Sequence, residues 1–332
     1  MKVRATIQYD PRFLEEAVFH ARVDRHAAKE IQRGRNRIYE VSDPERRDDL
    51  FNDLNRLWFN RLGLGKIIDE TLLEQTMVSA QVEKCFIVRA GQRKQEGAEL
   101  FIAGDPQHSD RRIHTLRILL RPESLFEAEA LTTFLRHELF HVADMLDPGF
   151  AYELTLPKAE AGPTYDTLIT NRYRVLWDVT INGRMLRRGW CDASVRGQQF
   201  SEFSHAFPML EDRIEELFSR FFDSELPKHA DLACFAFDPR QASGSLQQHA
   251  APGTHCPLCR FPTHSFETEP SEIGTEVLAA LKEDFPNWTA SQGLCVQCAD
   301  LYRGRQMSLD ALKLLPGYNL SSQRAQRVAL IR

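Results

Sequence analysis

The sequence predicts an α+β fold, in which a helix-rich core carries a small, mainly antiparallel sheet and a small cysteine module follows. Apolar residues recur every three or four positions through most of the chain, as they do in amphipathic helices. Only three short apolar runs, all between residues 85 and 121, have the length and composition of strands. Two Cys-x-x-Cys pairs near the carboxyl end predict the module.

Residues 11–75 are predicted to be helical. The first helix is expected over residues 11–33. The second begins at Ser42-Asp43-Pro44, because a capping residue followed by Pro at the first position is typical of a helix start, and it ends near Gly63 or Gly65.

The three predicted strands are residues 85–90 (CFIVRA), 98–103 (AELFIA) and 115–121 (TLRILLR). The first two flank a turn region at 91–97, and the third ends at Pro122. Together they predict a sheet of at least three strands.

Helices are predicted again over 128–145, over 165–188 after Pro163, and over 200–226. A stretch rich in Ser, Gly, Gln and Pro then reads as a linker. The predicted organisation is an N-terminal helical region (1–75), a core (76–190), a helical extension (191–237), a linker (238–254), a cysteine module (255–305) and a basic helical tail (306–332).

The composition is that of an ordinary globular protein. Of the 332 residues, 42% are hydrophobic and 27% are charged, and the formal net charge of −5 gives no overall basic surface for nucleic acid. No apolar run approaches the roughly 18 residues of a membrane span, and MKVRATIQYD contains no secretory leader, so we expect no membrane association.

Cysteine usage points to a reducing compartment. Four of the seven cysteines lie in the two pairs, whereas Cys85, Cys191 and Cys234 are scattered. Because the scatter argues against a disulfide framework, we expect a cytoplasmic protein.

His137, Glu138 and His141 form an HExxH motif within the predicted helix 128–145. Residues four apart lie on one face of a helix, so both imidazoles can point at one metal ion. Glu138 projects beside them, where it can polarise a water molecule on the metal. The pattern predicts two metal ligands and a general base; the alternative is a helix whose two histidines have other partners.

The order of a strand, a helix with HExxH, a loop and a second helix resembles the zincin superfamily of zinc metallopeptidases, over residues 76–190. The resemblance implies a catalytic zinc with three protein ligands and one water, with His137 and His141 as ligands, Glu138 as general base, and a peptide or protein substrate. In zincins the strand before the active helix is often an edge strand that pairs with extended substrate, which here would be residues 116–120.

The sequence leaves the third ligand open. Asp178 is the first choice, because it lies on or beside the apolar stripe of the predicted helix 165–188, where an unpaired carboxylate would be costly. The run 178–182 (DVTIN) resembles the third-ligand helix of some ImmA/IrrE-type zincins, which have Glu where this chain has Asp. The alternative is a structural Asp178 paired with Arg174 or Arg184.

Two further acids compete. Glu160 lies nineteen residues after His141, the spacing of thermolysin-like and aminopeptidase-like zincins, although a Gly-Pro pair follows almost at once. Asp147 lies where metzincins carry their last ligand, but their Gly at position 144 is Asp144 here; Asp147 therefore reads most simply as part of a turn. Asp144 is expected to accept the other N–H of a ligand histidine.

The Cys-x-x-Cys pairs predict a second metal site. Two such knuckles, Cys256 with Cys259 and Cys295 with Cys298, complete a closed four-cysteine site that holds zinc structurally. The gap between the pairs is longer than in a usual zinc ribbon, and a helix predicted over 271–284 accounts for it. Another helix is predicted after the second pair, as in treble-clef variants. The alternatives are disulfides, a redox pair, or a site in which His255 replaces one thiolate.

Together with these residues, the resemblance to zincins implies a zinc metallopeptidase with one catalytic and one structural zinc, which would hydrolyse peptide bonds with a zinc-activated water and Glu138 as the base. The alternative is a non-catalytic regulatory protein that binds protein or nucleic acid on the same scaffold. A zincin followed by a four-cysteine zinc module is also similar in layout to SprT-like proteins, which act on proteins associated with DNA. That likeness leaves a nucleic-acid partner open.

Overall fold

The computed structural model describes residues 5–105, 108–157, 163–239, 255–263, 265–267 and 270–313. These residues fall into two compact units. The first lies within Met1–Leu154 and Arg174–Leu232, and the second within Thr155–Tyr173 and Ala233–Arg332.

Helices predominate, and the strands form a separate sheet, which confirms the predicted α+β class. The elements in chain order are β1 (Thr6–Tyr9), α1 (Pro11–His20), α2 (Arg25–Tyr39), α3 (Pro44–Arg61), α4 (Lys66–Glu74), α5 (Thr76–Gln81), β2 (Val82–Arg89), β3 (Gly97–Asp105), β4 (His108–Leu120), α6 (Ala128–Leu146), α7 (Pro163–Arg187), α8 (Val195–Ala206), α9 (Ile214–Phe222), α10 (His229–Phe237), α11 (Thr275–Asp284) and α12 (Val296–Lys313). Short 3-10 turns lie at Arg93–Gln95, Pro122–Phe126, Pro208–Arg213, Pro270–Glu272 and Ala290–Gln292.

The sheet has four strands in the order β1-β2-β4-β3. The pairs β1–β2 and β2–β4 are parallel, and only β3–β4 is antiparallel. The prediction of a mainly antiparallel sheet is therefore wrong. Parallel neighbours need a long connection, and helices α1–α5 provide one between β1 and β2.

Strand β4 lies inside the sheet, between β2 and β3. The prediction that residues 116–120 form an edge is therefore wrong, because β3 folds back and pairs with β4, with Ala98 opposite Ile118. Strand β3 is the edge strand on that side. The fully buried Leu116, Ile118 and Leu120 fit the central position of β4.

A hydrophobic core of the first unit joins the N-terminal helices, the sheet and α6. Phe13 of α1, Trp58 of α3, Ile87 of β2 and Leu139 of α6 all belong to it. The predicted N-terminal helical region thus shares its core with the helix that carries HExxH.

The helix predicted over 11–33 is two helices. The first ends at His20, and the second begins after Asp24, whose carboxylate accepts the backbone N–H groups of His26 and Ala27 at 2.8 Å. An Asp that binds two free N–H groups stabilises a helix start, so the break has a local cause.

The helix predicted to begin at Ser42-Asp43-Pro44 is confirmed. Asp43 caps α3 by accepting the N–H of Glu45 at 3.1 Å, and Pro44 is the first helical residue. The stretch predicted as helical over 200–226 comprises parts of α8 and α9, with a 3-10 turn between them.

The cysteine module has a small core of its own. Ile273, Val277 and Leu281 pack with Trp288 and Leu294 around the buried cysteines. Most of the predicted linker (240–254) and the end of the predicted tail (314–332) lie outside the described residues. In the part of the chain that the structure describes, no helix is long and apolar enough to cross a membrane.

Candidate metal centres

Helix α6 presents its two histidines on the side away from the core. Leu135 and Leu139 are buried in the core, whereas the side chains of His137 and His141 are 23% and 16% exposed. The four-residue spacing places both rings on one face, with their centroids 5.0 Å apart.

Helix α7 brings Asp178 to these rings. Its Oδ1 atom lies 3.0 Å from Nε2 of His141 and 3.6 Å from Nε2 of His137. His137, His141 and Asp178 thus form a cluster, the histidine–aspartate cluster, whose ligand atoms lie within 4.8 Å of one another.

This donor set fits a zinc ion. Ligand atoms about 2.0–2.2 Å from a tetrahedral zinc lie roughly 3.3–3.6 Å from one another. The observed distances of 3.0 and 3.6 Å bracket that range. Two imidazole nitrogens and one carboxylate oxygen are also the donor types that zinc accepts, and they leave a fourth position open.

Of the two competing third ligands, Asp147 is not brought to this cluster. The Asp147 carboxylate accepts the N–H of Gly149 at 2.8 Å in the turn after α6, and it is not among the cluster's acids. Glu160 lies outside the described residues.

Glu138 lies between the cluster and the edge of the sheet. Its Oε2 accepts the backbone N–H of Ala98 in β3 at 3.0 Å, and its Oε1 lies 3.4 Å from Nδ1 of His137. A Cβ at Gly97 would lie 3.5 Å from the same carboxylate, so β3 and α6 approach closely here. Sequence reasoning missed this contact, since nothing local links β3 to Glu138.

The surroundings keep Glu138 ionised. Burial raises the pKa of its carboxyl, but the hydrogen bond with His137, the charges of both histidines and the Ala98 N–H together lower it below 4.5. For His137, burial lowers the pKa, but Glu138 and the charges of Asp178 and Glu202 outweigh burial and raise it above 6.5.

Asp144 does not hold a ligand histidine, so that prediction is wrong. Its carboxylate accepts two hydrogen bonds from Arg184, at 2.6 and 2.7 Å, and one from Nε1 of Trp177 at 2.7 Å. Trp177 in turn places its ring edge-on to His141, with centroids 4.5 Å apart. Asp144 therefore reaches His141 only through Trp177, because α7 supplies stronger donors than the imidazole.

Of the two arginines expected as structural partners of Asp178, only Arg174 is near. Its Nε lies 4.0 Å from Oδ2, and its side chain is 80% exposed. Solvent screens such a pair, so Arg174 does not compete strongly with a metal ion for the carboxylate.

A cleft of about 480 Å³ opens beside His137. The residues that line it come from α6 and α7, and all but three are apolar or small: Glu129, Ala130, Thr133, Phe134, His137, Asn182 and Met185. The cleft has room for a side chain of a bound peptide next to the cluster.

The four predicted knuckle cysteines meet in the second unit. The Sγ atoms of Cys256 and Cys298, and those of Cys259 and Cys295, lie 3.9 Å apart, and all four lie within 4.8 Å. Thiolates about 2.3 Å from a tetrahedral zinc lie roughly 3.8 Å apart. All four thiols are free, so these pairs are not disulfides, and His255 is not part of this cysteine cluster.

The thiols of the cysteine cluster differ in how readily they ionise. Burial raises the pKa of Cys256, but backbone N–H groups, including that of Cys295, outweigh it and lower the pKa to about 7. Burial and the neighbouring sulfurs raise the pKa of Cys298. Several thiolates can coexist here only beside a positive charge, which a zinc ion would supply.

Compared with models of protein families, with curated proteins and with solved structures, the chain gives no significant match. Its function has to be inferred from the geometry of the two clusters.

Proposed function

We propose that this chain is a zinc-dependent metallopeptidase of the zincin type. The observation that carries the proposal is the meeting of Asp178 with both HExxH histidines, at 3.0 and 3.6 Å. Two ring nitrogens and one carboxylate oxygen converge from separate helices, and an ionised Glu138 lies beside them.

His137, His141 and Asp178 would hold the catalytic zinc. When bound, zinc supplies Lewis acidity, polarises a carbonyl oxygen and lowers the pKa of water toward ~7. The closed cysteine cluster leaves no open position, so a zinc there would be structural.

Glu138 would act as the general base. Its carboxylate takes a proton from the attacking water as that water adds to the scissile carbonyl, and it then delivers the proton to the leaving amine. The lowered pKa keeps Glu138 able to accept a proton at neutral pH. The Ala98 N–H and the His137 ring orient the carboxylate for that transfer.

Substrate would lie along β3. This edge strand contacts Glu138 at Ala98, so an extended peptide added to the outer edge of β3 would run past the Glu138 carboxylate. A side chain of that peptide would enter the cleft lined by Phe134 and Met185.

The test is Glu138→Gln in the full chain, assayed on a broad peptide library. The variant should keep its zinc and lose hydrolysis by about 10²–10⁴-fold, the usual contribution of a general base. Glu153→Gln, an exposed acid beyond α6, should cleave as the parent does. Undiminished hydrolysis by the Glu138 variant would overturn the mechanism, and a zinc-loaded parent that cleaves nothing would favour the binding alternative.

Zinc content separates the two sites. The parent should hold two zinc ions per chain, and Cys259→Ser should hold one. Cys234→Ser removes an exposed cysteine outside both clusters and should still hold two. Two ions in the Cys259 variant would contradict a site built from all four cysteines.

A further inference from the structure

Helix α2 carries an uneven charge. Its sequence, RHAAKEIQRGRNRIY, contains five Lys or Arg residues and one acid. Ala27 and Ile31 pack against the core of the first unit, and Ile38 is buried. A Cβ at Gly34 would lie 3.0 Å from Leu54 of α3, so this side of α2 is held closely against α3.

Four of the five cations point away from that side. Arg25, Lys29, Arg33 and Arg37 recur at every fourth residue, and all four are exposed. We call them the basic ridge. Within the part of the chain that the structure describes, none of them makes an ion pair or a side-chain hydrogen bond.

The other charges of α2 are paired. Nη2 of Arg35, the fifth cation, lies 3.7 Å from Oε1 of Glu15. Oε2 of Glu30, the one acid of the helix, lies 3.3 Å from Nη1 of Arg61. The ridge is therefore left without an internal counter-charge.

This arrangement of charges should destabilise helix α2. Like charges four residues apart repel one another along a helix face. Arg25 is the first helical residue, where the helix dipole disfavours a cation. A surface that served only solubility would carry charges of both signs. Because the ridge keeps four like charges despite their mutual repulsion, it points to a polyanionic partner.

We propose that the basic ridge binds the phosphodiester backbone of a nucleic acid. Four helical residues rise about 6 Å, so the ridge presents its four cations at regular intervals over about 18 Å. A nucleic-acid strand presents phosphates at regular intervals of about 3.4 Å along its axis, so the ridge can follow about five of them. Gln32 and Asn36 lie on the same side, where their amides can reach sugar and phosphate oxygens.

A lipid surface fits less well. A helix that lies in a membrane interface inserts an apolar face, and the apolar face of α2 is already packed within the protein. This inference does not depend on the peptidase proposal, because the ridge shares no residue with either metal cluster.

The experiment measures fluorescence anisotropy of a labelled oligonucleotide of about 20 nucleotides, single-stranded or duplex, with the full chain at about 50–200 mM salt. The test variant is R25Q/K29Q/R33Q/R37Q. The slope of log K against log salt should become less negative by about 2.8 for the single strand and about 3.6 for the duplex, since each of four phosphate contacts releases counterions. The larger loss of affinity identifies the preferred form.

The control variant K94Q/R220Q/K228Q/K282Q removes the same charge from scattered, exposed positions. It should keep the parent's slope to within about one unit. R25K/R33K/R37K keeps the charge of the ridge and should also bind as the parent does. Removing the repulsion should leave the ridge variant with a melting temperature equal to or above that of the parent, so weak binding cannot be ascribed to unfolding.

Equal slopes for the ridge and control variants overturn the proposal, as does a parent that fails to bind either oligonucleotide at about 50 mM salt. A parent that binds vesicles of mixed phosphatidylcholine and phosphatidylserine, but no oligonucleotide, also overturns it in favour of a membrane partner.

Discussion

Oδ1 of Asp178 lies 3.0 Å from Nε2 of His141, although the two residues are 37 positions apart in the sequence. The contact joins α6 to α7, and the same oxygen lies 3.6 Å from Nε2 of His137. One carboxylate oxygen is thus within reach of both imidazoles. Because each side chain comes from the interior of a long helix, the helices and not a loop fix the positions of the three donors.

Asp178→Ala should lower the zinc affinity of the histidine–aspartate cluster more than about 100-fold. Changes to residues that only support a ligand typically cost 10–100-fold, so loss of a ligand should exceed that range. Competition with a zinc-binding dye measures the effect in chains whose cysteine cluster is already loaded.

Arg174→Gln is the matched control for Asp178→Ala. It removes an exposed charge 4.0 Å from the carboxylate and should change zinc affinity only slightly. If Asp178→Ala binds zinc as tightly as the parent, Asp178 is not the third ligand.

Zinc affinity at this cluster should fall as the pH is lowered through the raised pKa of His137. Metal binding must displace a proton from His137, whose pKa is raised above 6.5 despite burial, through Glu138, Asp178 and Glu202. Below that raised pKa, affinity should fall about tenfold per pH unit for each ligand proton that zinc displaces, and His137 accounts for one of them. Dye competition across pH measures the curve.

Glu138→Gln should shift this fall in zinc affinity to lower pH values. The substitution removes a hydrogen bond and a charge that both raise the pKa of His137. Each curve is compared after scaling to its own value at neutral pH, because the lost charge also weakens zinc binding overall. If zinc affinity falls at the same pH in the variant and in the parent, Glu138 does not raise the pKa of His137.

The sequence predicted those parts of the site that are local. Residues four apart on a helix share a face wherever the helix lies, so HExxH was sufficient to place His137 and His141 together. Likewise, Pro44 after a capping Asp43 marks the start of α3 without tertiary information. Each Cys-x-x-Cys pair also needs only its own turn.

The predictions that were wrong concern contacts between residues distant in sequence. The four residues of β1 (TIQY) are too few to show a strand pattern, and without β1 the parallel pairing with β2 could not be expected. The position of β4 inside the sheet follows from how β3 folds back. Asp144 lies one turn from His141 on α6, so only the approach of α7 decides that Arg184 binds it.

Asp144→Ala should destabilise the chain by about 3–5 kcal/mol. The Asp144 and Arg184 side chains are 6% and 12% exposed, so removing the carboxylate leaves a mostly buried guanidinium without its counter-charge and removes an acceptor of the Trp177 N–H. Urea unfolding gives the free energies. Glu16→Ala, which breaks an exposed pair with Arg89, should have a much smaller effect.

The double variant D144L/R184M tests whether the uncompensated charge of Arg184 causes this loss of stability. Apolar residues in place of a buried ion pair are often tolerated, so this chain should be more stable than Asp144→Ala alone. If it is less stable, the loss comes from packing and not from the unpaired charge.

Gly183→Ala should destabilise the first unit by at least about 3 kcal/mol. Gly183 lies on α7, and a Cβ there would fall 1.7 Å from the carbonyl oxygen of Phe222, at the end of α9. That oxygen belongs to the backbone, so α7 and α9 would have to separate. Because Asp178 is on α7, the zinc affinity of the histidine–aspartate cluster should fall as well.

Gly197→Ala makes the same change within α8, where a Cβ would meet no atom within 4 Å. Ala is favoured over Gly in a helix, so this variant should be as stable as the parent or gain up to about 1 kcal/mol. Urea unfolding followed by circular dichroism compares the two variants. If Gly183→Ala unfolds at the same urea concentration as Gly197→Ala, the close approach of α7 to the Phe222 carbonyl does not limit the fold, and Asp178 does not depend on it.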